Sequence, residues 1–388
     1  MLLRDARLLS GTDDREGDLR VVDGRIEAVG DLDPRGDERC VDLGEKTLTP
    51  GLVDAHVHFS LSGETSVESV VGMTDAELAL VEAYNARTTL ESGVTGVRAM
   101  GARGIDLDLK RAVDRGDIPG PRMVANDRSI TITGGHGHHL GREIDGPVDA
   151  RRAVREQVKR GTDFVKFMTT GGVTTPGTDP DTVALTDEEL DALVDEAHRH
   201  GLHAATHVHG AEGAKAAALA GVDTIEHGTF LDDEAIDLLV DEDVTLVPTL
   251  SAPYHIVRNV EWATPDSARK TEEIYERHLD SFARAVDAGV RVAGGTDAGT
   301  PFNHHGSNAA EVTFMIEHGL SPRGALAAMT EVAAETVGLD DCGTLDPGTH
   351  ADLLVLAGDP LEDSTVLNDP EAVLLGGELV AGHLPVGD

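Results

Sequence analysis

His56 and His58 stand one residue apart in TPGLVDAHVHFS. Along a strand, side chains two positions apart leave the chain on the same side, so both imidazoles share one face. Two neutral imidazoles aimed at one point suit Zn²⁺ or a similar divalent ion. Lys166 lies in the apolar run DFVKFM. A bare ammonium in such a run is costly to bury unless it pairs with an acid or gives up its proton. A neutral amine can react with CO2 to form a carbamate, an anionic oxygen ligand able to bridge two metal ions. His207 in AATHVHG, His227 in DTIEHG and Asp297 in AGGTDAGTP each sit at the end of a further apolar run. Singly, each is an ordinary polar residue. In this order, each at a strand end, they describe a metal site.

Side chains placed this way need strands whose C-terminal ends share one mouth. Apolar runs recur at 52–58, 94–100, 123–125 or 130–133, 164–168, 203–207, 224–227, 244–248 and 292–296. Helical patterns lie between most of them, among them 186–200, which opens with Thr186 and Glu189 at capping-box spacing, and 210–220. Eight strand–helix units in about 290 residues predict an α/β fold, a (β/α)8 TIM barrel over 51–345 with its site at the strand C-termini. A doubly wound open sheet is the alternative, but no glycine-rich dinucleotide fingerprint follows the first strand. Both chain ends read instead as short strands and turns, such as Asp23-Gly24 and Gly376-Gly377. They predict a small β-sandwich domain built from 1–50 with 346–388.

Composition bounds the partners. Asp and Glu total 71 against 32 basic residues, a formal net charge of −39. Such a chain is repelled by nucleic acid and by anionic membrane surfaces. Six lysines among the 32 basic residues leave 26 arginines, and acid-rich, lysine-poor composition fits a salt-filled cytoplasm where screening is short-ranged. Cys40 and Cys342 have no metal or redox spacing, so a reducing compartment is expected. The first residues, MLLRDARLLSGTDD, lack the basic-then-apolar pattern of a signal peptide, and no stretch approaches a membrane span. A cytoplasmic enzyme on a small-molecule or dipeptide substrate is expected, free to form a homo-oligomer.

The chain resembles the amidohydrolase superfamily. The order HxH, Lys, His, His, Asp on strands one, four, five, six and eight matches that family's binuclear pattern. GTLDPGTHADLLVL looks like its C-terminal return to the β domain. ITGGHGHHLG, VKFMTTGGV, HVHGAEGAKAAALAGVDTIEHGT, VPTLSA and GTDAGTPFNHHGSNAAE are similar to the prolidase-type branch, often labelled imidazolonepropionase-related. The resemblance implies two divalent ions, with zinc expected. His56, His58 and Asp297 would hold the more buried one, His207 and His227 the other, and carboxylated Lys166 would bridge them. A hydroxide between the metals would attack an amide carbonyl, with Asp297 taking its proton and passing it to the leaving nitrogen.

The same resemblance places His136, in GGHG, against the substrate carbonyl or its oxyanion. His138 and His139 compete for that role, and His209 competes with His207 as a ligand. The group His198, His200 and His203 reads as structural or exposed. His305, in the loop after Asp297, is expected to contact substrate. Phe230 departs from the tyrosine of several dipeptidase relatives, which could hold a substrate carboxylate; Arg98 and Tyr254 are candidate replacements. The expected reaction is cleavage of a C–N amide bond in Xaa-Pro dipeptides or N-acyl amino acids. The alternative is a mononuclear cyclic-amide hydrolase or deaminase of the imidazolonepropionase type, whose members generally lack the strand-four lysine. Non-catalytic relatives usually lose ligands, and none is lost here.

Overall fold

The computed structural model of the protein describes residues 1–11, 13–44 and 46–385. Thr12, Glu45 and 386–388, which the expected β domain includes, lie outside the described residues.

Both chain ends enter one eight-stranded sheet. Its path runs Glu378–Gly382, Ala372–Leu375, Leu353–Leu356, Thr47–Pro50, Leu2–Ser10, Asp13–Val22, Arg25–Gly30, with Cys40–Asp42 pairing Leu2–Ser10. Leu3, Leu8, Leu19, Ile26, Leu48, Leu353, Val355 and Leu374 form its core. Leu353 and Val355 are two apart on one strand, the spacing that puts side chains on one sheet face.

Thr47–Pro50 leads through Gly51 into the first parallel strand, Leu52–Val57. A Cβ at Gly51 would overlap the Thr95 side chain, so glycine is needed where the chain passes between units. Leu52–Val57, Val94–Ala99 and Arg122–Ala125 form a three-stranded parallel sheet. A six-stranded parallel sheet follows, ordered Arg142–Ile144, Ile130–Ile132, Phe164–Met168, His203–Gly210, Thr224–Phe230, Thr245–Val247. The two alternatives offered by the sequence for the third strand, near 123 and near 130, are both strands.

The run at 292–296 differs from expectation. It forms isolated bridges, Leu246 with Val292 and Val57 with Ala298, and no continuous ladder. The cause is local. Gly294 and Gly295 pass close to Met329 and to Val247 and His56, and Asp297 turns to φ 57°. The segment still hydrogen-bonds on both sides. Ala293 N donates to Leu246 O, while Ala55 N donates to Gly294 O and Asp297 N to His56 O. It therefore ties the two parallel sheets together along one seam.

Helices connect the strands and bury one stripe each. Asp187–Arg199 is capped by Thr186, whose hydroxyl accepts from Glu189 N while Glu189 returns to the Thr186 backbone. Its Leu190, Leu193, Val194 and Ala197 are buried, the spacing of one helix face. Ala211–Ala220 and Asp233–Asp241 follow the next two strands. The longest helix, Pro265–Asp287, packs on Ser251–Arg258 and on Thr224–Phe230. Among the described residues no helix is long and apolar enough to cross a membrane.

Candidate metal centre and active site

His56 and His58 leave the C-terminal end of Leu52–Val57, and their ring centroids lie 5.4 Å apart. Asp297 Oδ1 stands 3.3 Å from His56 Nε2 and 3.2 Å from His58 Nε2. This oxygen is buried, yet neither contact aligns as a hydrogen bond. Burial pushes the Asp297 carboxyl upward, but the charge and contacts of His56, then those of His58, outweigh it and hold the pKa below the usual carboxylate range. An anionic oxygen with no hydrogen bond among imidazole nitrogens is a donor set made for a cation. His56, His227 and Asp297 each offer an atom within 4.8 Å of the others'.

Each candidate ligand histidine but His58 has one nitrogen held away from this centre. His56 Nδ1 is 2.7 Å from Glu226 Oε2, and His207 Nε2 donates to Gly171 O at 3.1 Å. His227 Nδ1 is 2.7 Å from Thr249 Oγ1. Such partners fix which nitrogen is left for a metal. The backbone is strained to achieve this. His227, Thr249 and Asp297 have φ of 74°, 53° and 57°, a left-handed conformation costing non-glycine residues about 1–3 kcal/mol each. His278 braces the first of them by donating from Nε2 to His227 O at 2.9 Å.

Lys166 is 1% exposed, and it has no hydrogen bond or ion pair among the described residues. Burial lowers its pKa to about 8, which makes the neutral amine accessible near physiological pH. His207, His209 and His227 are held well below the usual histidine range, by burial first and neighbouring histidines second. All three are therefore neutral, the form that binds a metal.

His56, His58, Lys166, His207, His227, Asp297 and His136 all line one cavity. His136 Nδ1 is buried without a hydrogen-bond partner, and burial drives the ring's pKa down to about 3. Its ring lies 4.4 Å from that of His207. Of its competitors, His139 lines the cavity, while His138 packs tilted against His139 with ring centroids 3.7 Å apart. His209 also lines the cavity, stacked on His227 with Nδ1 2.6 Å from Thr229 Oγ1.

Three expected substrate contacts are not brought to this cavity. His305 is buried under it, with Nε2 3.0 Å from Leu61 O and Nδ1 3.2 Å from Thr89 Oγ1, so both nitrogens are committed to holding the 58–61 turn. Phe230 lies under the Arg277 guanidinium, 3.9 Å from the ring centroid. Tyr254 packs on Phe314 at 4.5 Å, while its neighbours Ala252, Pro253 and Ile256 face the cavity. Arg98, considered as a carboxylate anchor, is 1% exposed and bonded to Ala55 O, Thr224 and Glu226. His198 pairs with Asp223 on the surface, 43% exposed.

Sequence reasoning missed Glu226, Thr249, His278 and Lys270. Glu226 had a signal, an acid inside the apolar run TIEH, adjacent to a ligand.

The Amidohydrolase family model matches residues 47–380. Ochratoxinase of Aspergillus niger is 30% identical over 369 residues, covering 86% of this chain and 76% of the relative. Imidazolonepropionase of Paracoccus denitrificans is 26% identical over 407 residues, 94% of each chain. A solved Xaa-Pro dipeptidase with methionine bound in its active site superposes with a TM-score of 0.92 at 32% identity, over 97% of this chain and 98% of that one.

Proposed function

The chain belongs to the amidohydrolase family, and from that membership we propose that it hydrolyses the C–N amide bond of Xaa-Pro dipeptides or N-acyl amino acids. It is a hydrolytic enzyme of the metal-dependent kind. The observation that carries the hydrolytic reading is the convergence of a complete candidate ligand set, Lys166 included, on one cavity. The likeness to a dipeptidase and to ochratoxinase supports it.

His56, His58 and Asp297 would hold one divalent ion and His207 and His227 a second, with zinc the first candidate. Lys166 would join them after its neutral amine adds to CO2, forming the N–C bond of a carbamate and releasing one proton. Ions bound there supply Lewis acidity and lower the pKa of water toward neutrality. Asp297, held anionic at the centre, takes the proton of the attacking water and delivers it to the leaving nitrogen. His136, neutral and with Nδ1 unpartnered inside the protein, hydrogen-bonds the carbonyl oxygen as negative charge develops on it. Leu61, Met168, Val173, Ile256 and Ile274 line the same cavity and suit apolar substrate groups while limiting water. In this reading the two parallel sheets close as a (β/α)8 barrel over 51–345, beside a β-sandwich of 1–50 with 346–388. The acidic surface suits a salt-rich cytoplasm.

The test is a screen of dipeptide and N-acyl amino acid libraries in concentrated KCl with Zn²⁺ and bicarbonate, alongside metal analysis. Two metals per chain and turnover of an amide are expected, with Lys166→Ala losing metal and activity together. Undiminished turnover by Lys166→Ala rules out the bridge. Turnover of a lactam or an aminated ring, with every dipeptide and N-acyl amino acid inert, favours the imidazolonepropionase-type reading, which the likeness to that enzyme also supports.

A further inference from the structure

Lys270 is buried to 4% exposure in the helix Pro265–Asp287, whose Ile274 and His278 line the cavity but whose Lys270 has no part in the catalytic reading. An ammonium has three donors and buries well only when all are met. Here they are. Nζ donates to Gly172 O at 3.2 Å and to Thr175 O at 3.0 Å, and pairs with Asp266 Oδ2 at 2.8 Å. The two carbonyls belong to the turn that follows the Lys166 strand. That turn touches His136 and its neighbour twice. A Cβ at Gly172 would overlap the His136 ring, and Gly137 N donates to Thr175 Oγ1 at 3.0 Å. Thr178 Oγ1 further ties the turn by donating to Gly172 O at 3.0 Å.

His136 has no side-chain hydrogen bond to set its ring, since Nδ1 is unpartnered and no bond to Nε2 exists among the described residues. Its orientation is instead set by shape, by Gly172 on the ring and Thr175 on the adjoining backbone. We infer that Lys270 is a positioning residue, fixing His136 for the reaction through the 172–175 turn. The inference rests on the proposed contact between His136 and the reacting carbonyl.

The experiment is a double-mutant cycle on a substrate found in the screen above, with metal content and melting temperature measured for every variant. Lys270→Met keeps the aliphatic stem and removes the donors. Gly172→Ala pushes on the His136 ring directly and leaves Lys270 intact. Each should lower kcat by about 10- to 100-fold, the cost of misplacing a catalytic group by an ångström or less, with KM and metal content little changed. In a His136→Ala background neither should lower kcat further. Full multiplicative losses in that background, or an unchanged kcat in both single variants, overturn the positioning role while leaving the hydrolase reading standing. Undiminished kcat in His136→Ala itself removes the proposed role of His136, and this inference with it. Should Lys270→Met fail to fold, Lys270→Gln, which keeps a neutral donor of similar reach, carries the Lys270 arm of the same cycle.

Discussion

Glu226 governs which nitrogen of His56 faces the centre. Its carboxylate is fully buried and takes hydrogen bonds from Arg98 at 2.7 Å and Thr224 at 2.6 Å, with His56 Nδ1 at 2.7 Å. Burial alone would raise its pKa, but Arg98 and then His56 overcome this and hold it at about 2. A permanent carboxylate on Nδ1 requires Nδ1–H, so the Nε2 lone pair is what points toward Asp297. Glu226→Gln should therefore weaken metal binding by about 10- to 100-fold in a chelator competition. It should also cost about 3–5 kcal/mol of stability, because Arg98 is left as an uncompensated buried charge. Wild-type metal affinity in this variant would sink the argument. That His56, His58, Lys166, His207, His227 and Asp297 gather at one cavity was legible in the sequence, because ligand chemistry admits few residue types and strand parity fixes their facing. Glu226 is marked in the sequence only as an acid in an apolar run, and its partner was not legible, since no spacing rule links it to a histidine 170 positions away. His305, Phe230 and Tyr254 lie outside the cavity lining because the facing of a loop, a strand end and a helix beyond the ligand strands is set by tertiary packing, which the sequence run does not fix.

The helix Asp75–Glu91 buries Leu78, Glu82, Asn85, Ala86, Thr89 and Leu90. Asn85 works for the site, donating to Phe59 O at 2.8 Å and Leu61 O at 3.0 Å just beyond His58. Glu82 does not. It is 0% exposed, and neither carboxylate oxygen has a hydrogen bond. Burial first, then Asp106 and Asp108, push its pKa well up, with Arg103 only partly opposing. Asp106 is likewise raised by burial, to about 7, although Ala102 N donates to it. In the unfolded chain both carboxyls titrate near pH 4. Between about pH 4 and 7 the folded state thus holds more protons than the unfolded one, and stability falls as pH rises through that window. Glu82→Met should flatten this slope and gain about 1–3 kcal/mol at pH 8, with a smaller gain at pH 5, in denaturant melts at constant salt. A loss of stability at pH 8 would mean that the carboxylate is satisfied in the fold. Apolar runs and caps made most elements readable, the Thr186 box among them. The run at 292–296 was over-read as a strand because Gly294 and Gly295 let it approach Met329 and His56 without a regular ladder.

The whole molecule carries a formal charge of −39 and only 7 Phe, 3 Tyr and 1 Trp. Its interior is built mainly from Ala, Val and Leu, so each buried side chain contributes modest apolar area. Many arginines are already paired at the surface, among them Arg155 with Glu196 at 2.7 Å and Arg151 with Asp195 at 2.5 Å. With 71 acidic and 32 basic residues, pairing cannot neutralise the excess, and the remaining carboxylates repel one another in the compact state. The Debye length falls from about 10 Å at 0.1 M salt to about 3 Å at 1 M, which removes repulsion between all but adjacent groups. Stability should therefore rise with KCl, most steeply below about 1 M, where screening changes fastest. In a chain of this size each kcal/mol of relieved repulsion raises Tm by about 2–4 °C or less, so the expected shift is several degrees. Sucrose separates this from general exclusion effects, because it favours burial without screening charge. A Tm that climbs with KCl well beyond what sucrose produces supports charge relief. A flat or falling Tm across the KCl series would show that the acidic surface is neutral to folding, and would remove the reason to place the protein in a salt-rich cytoplasm.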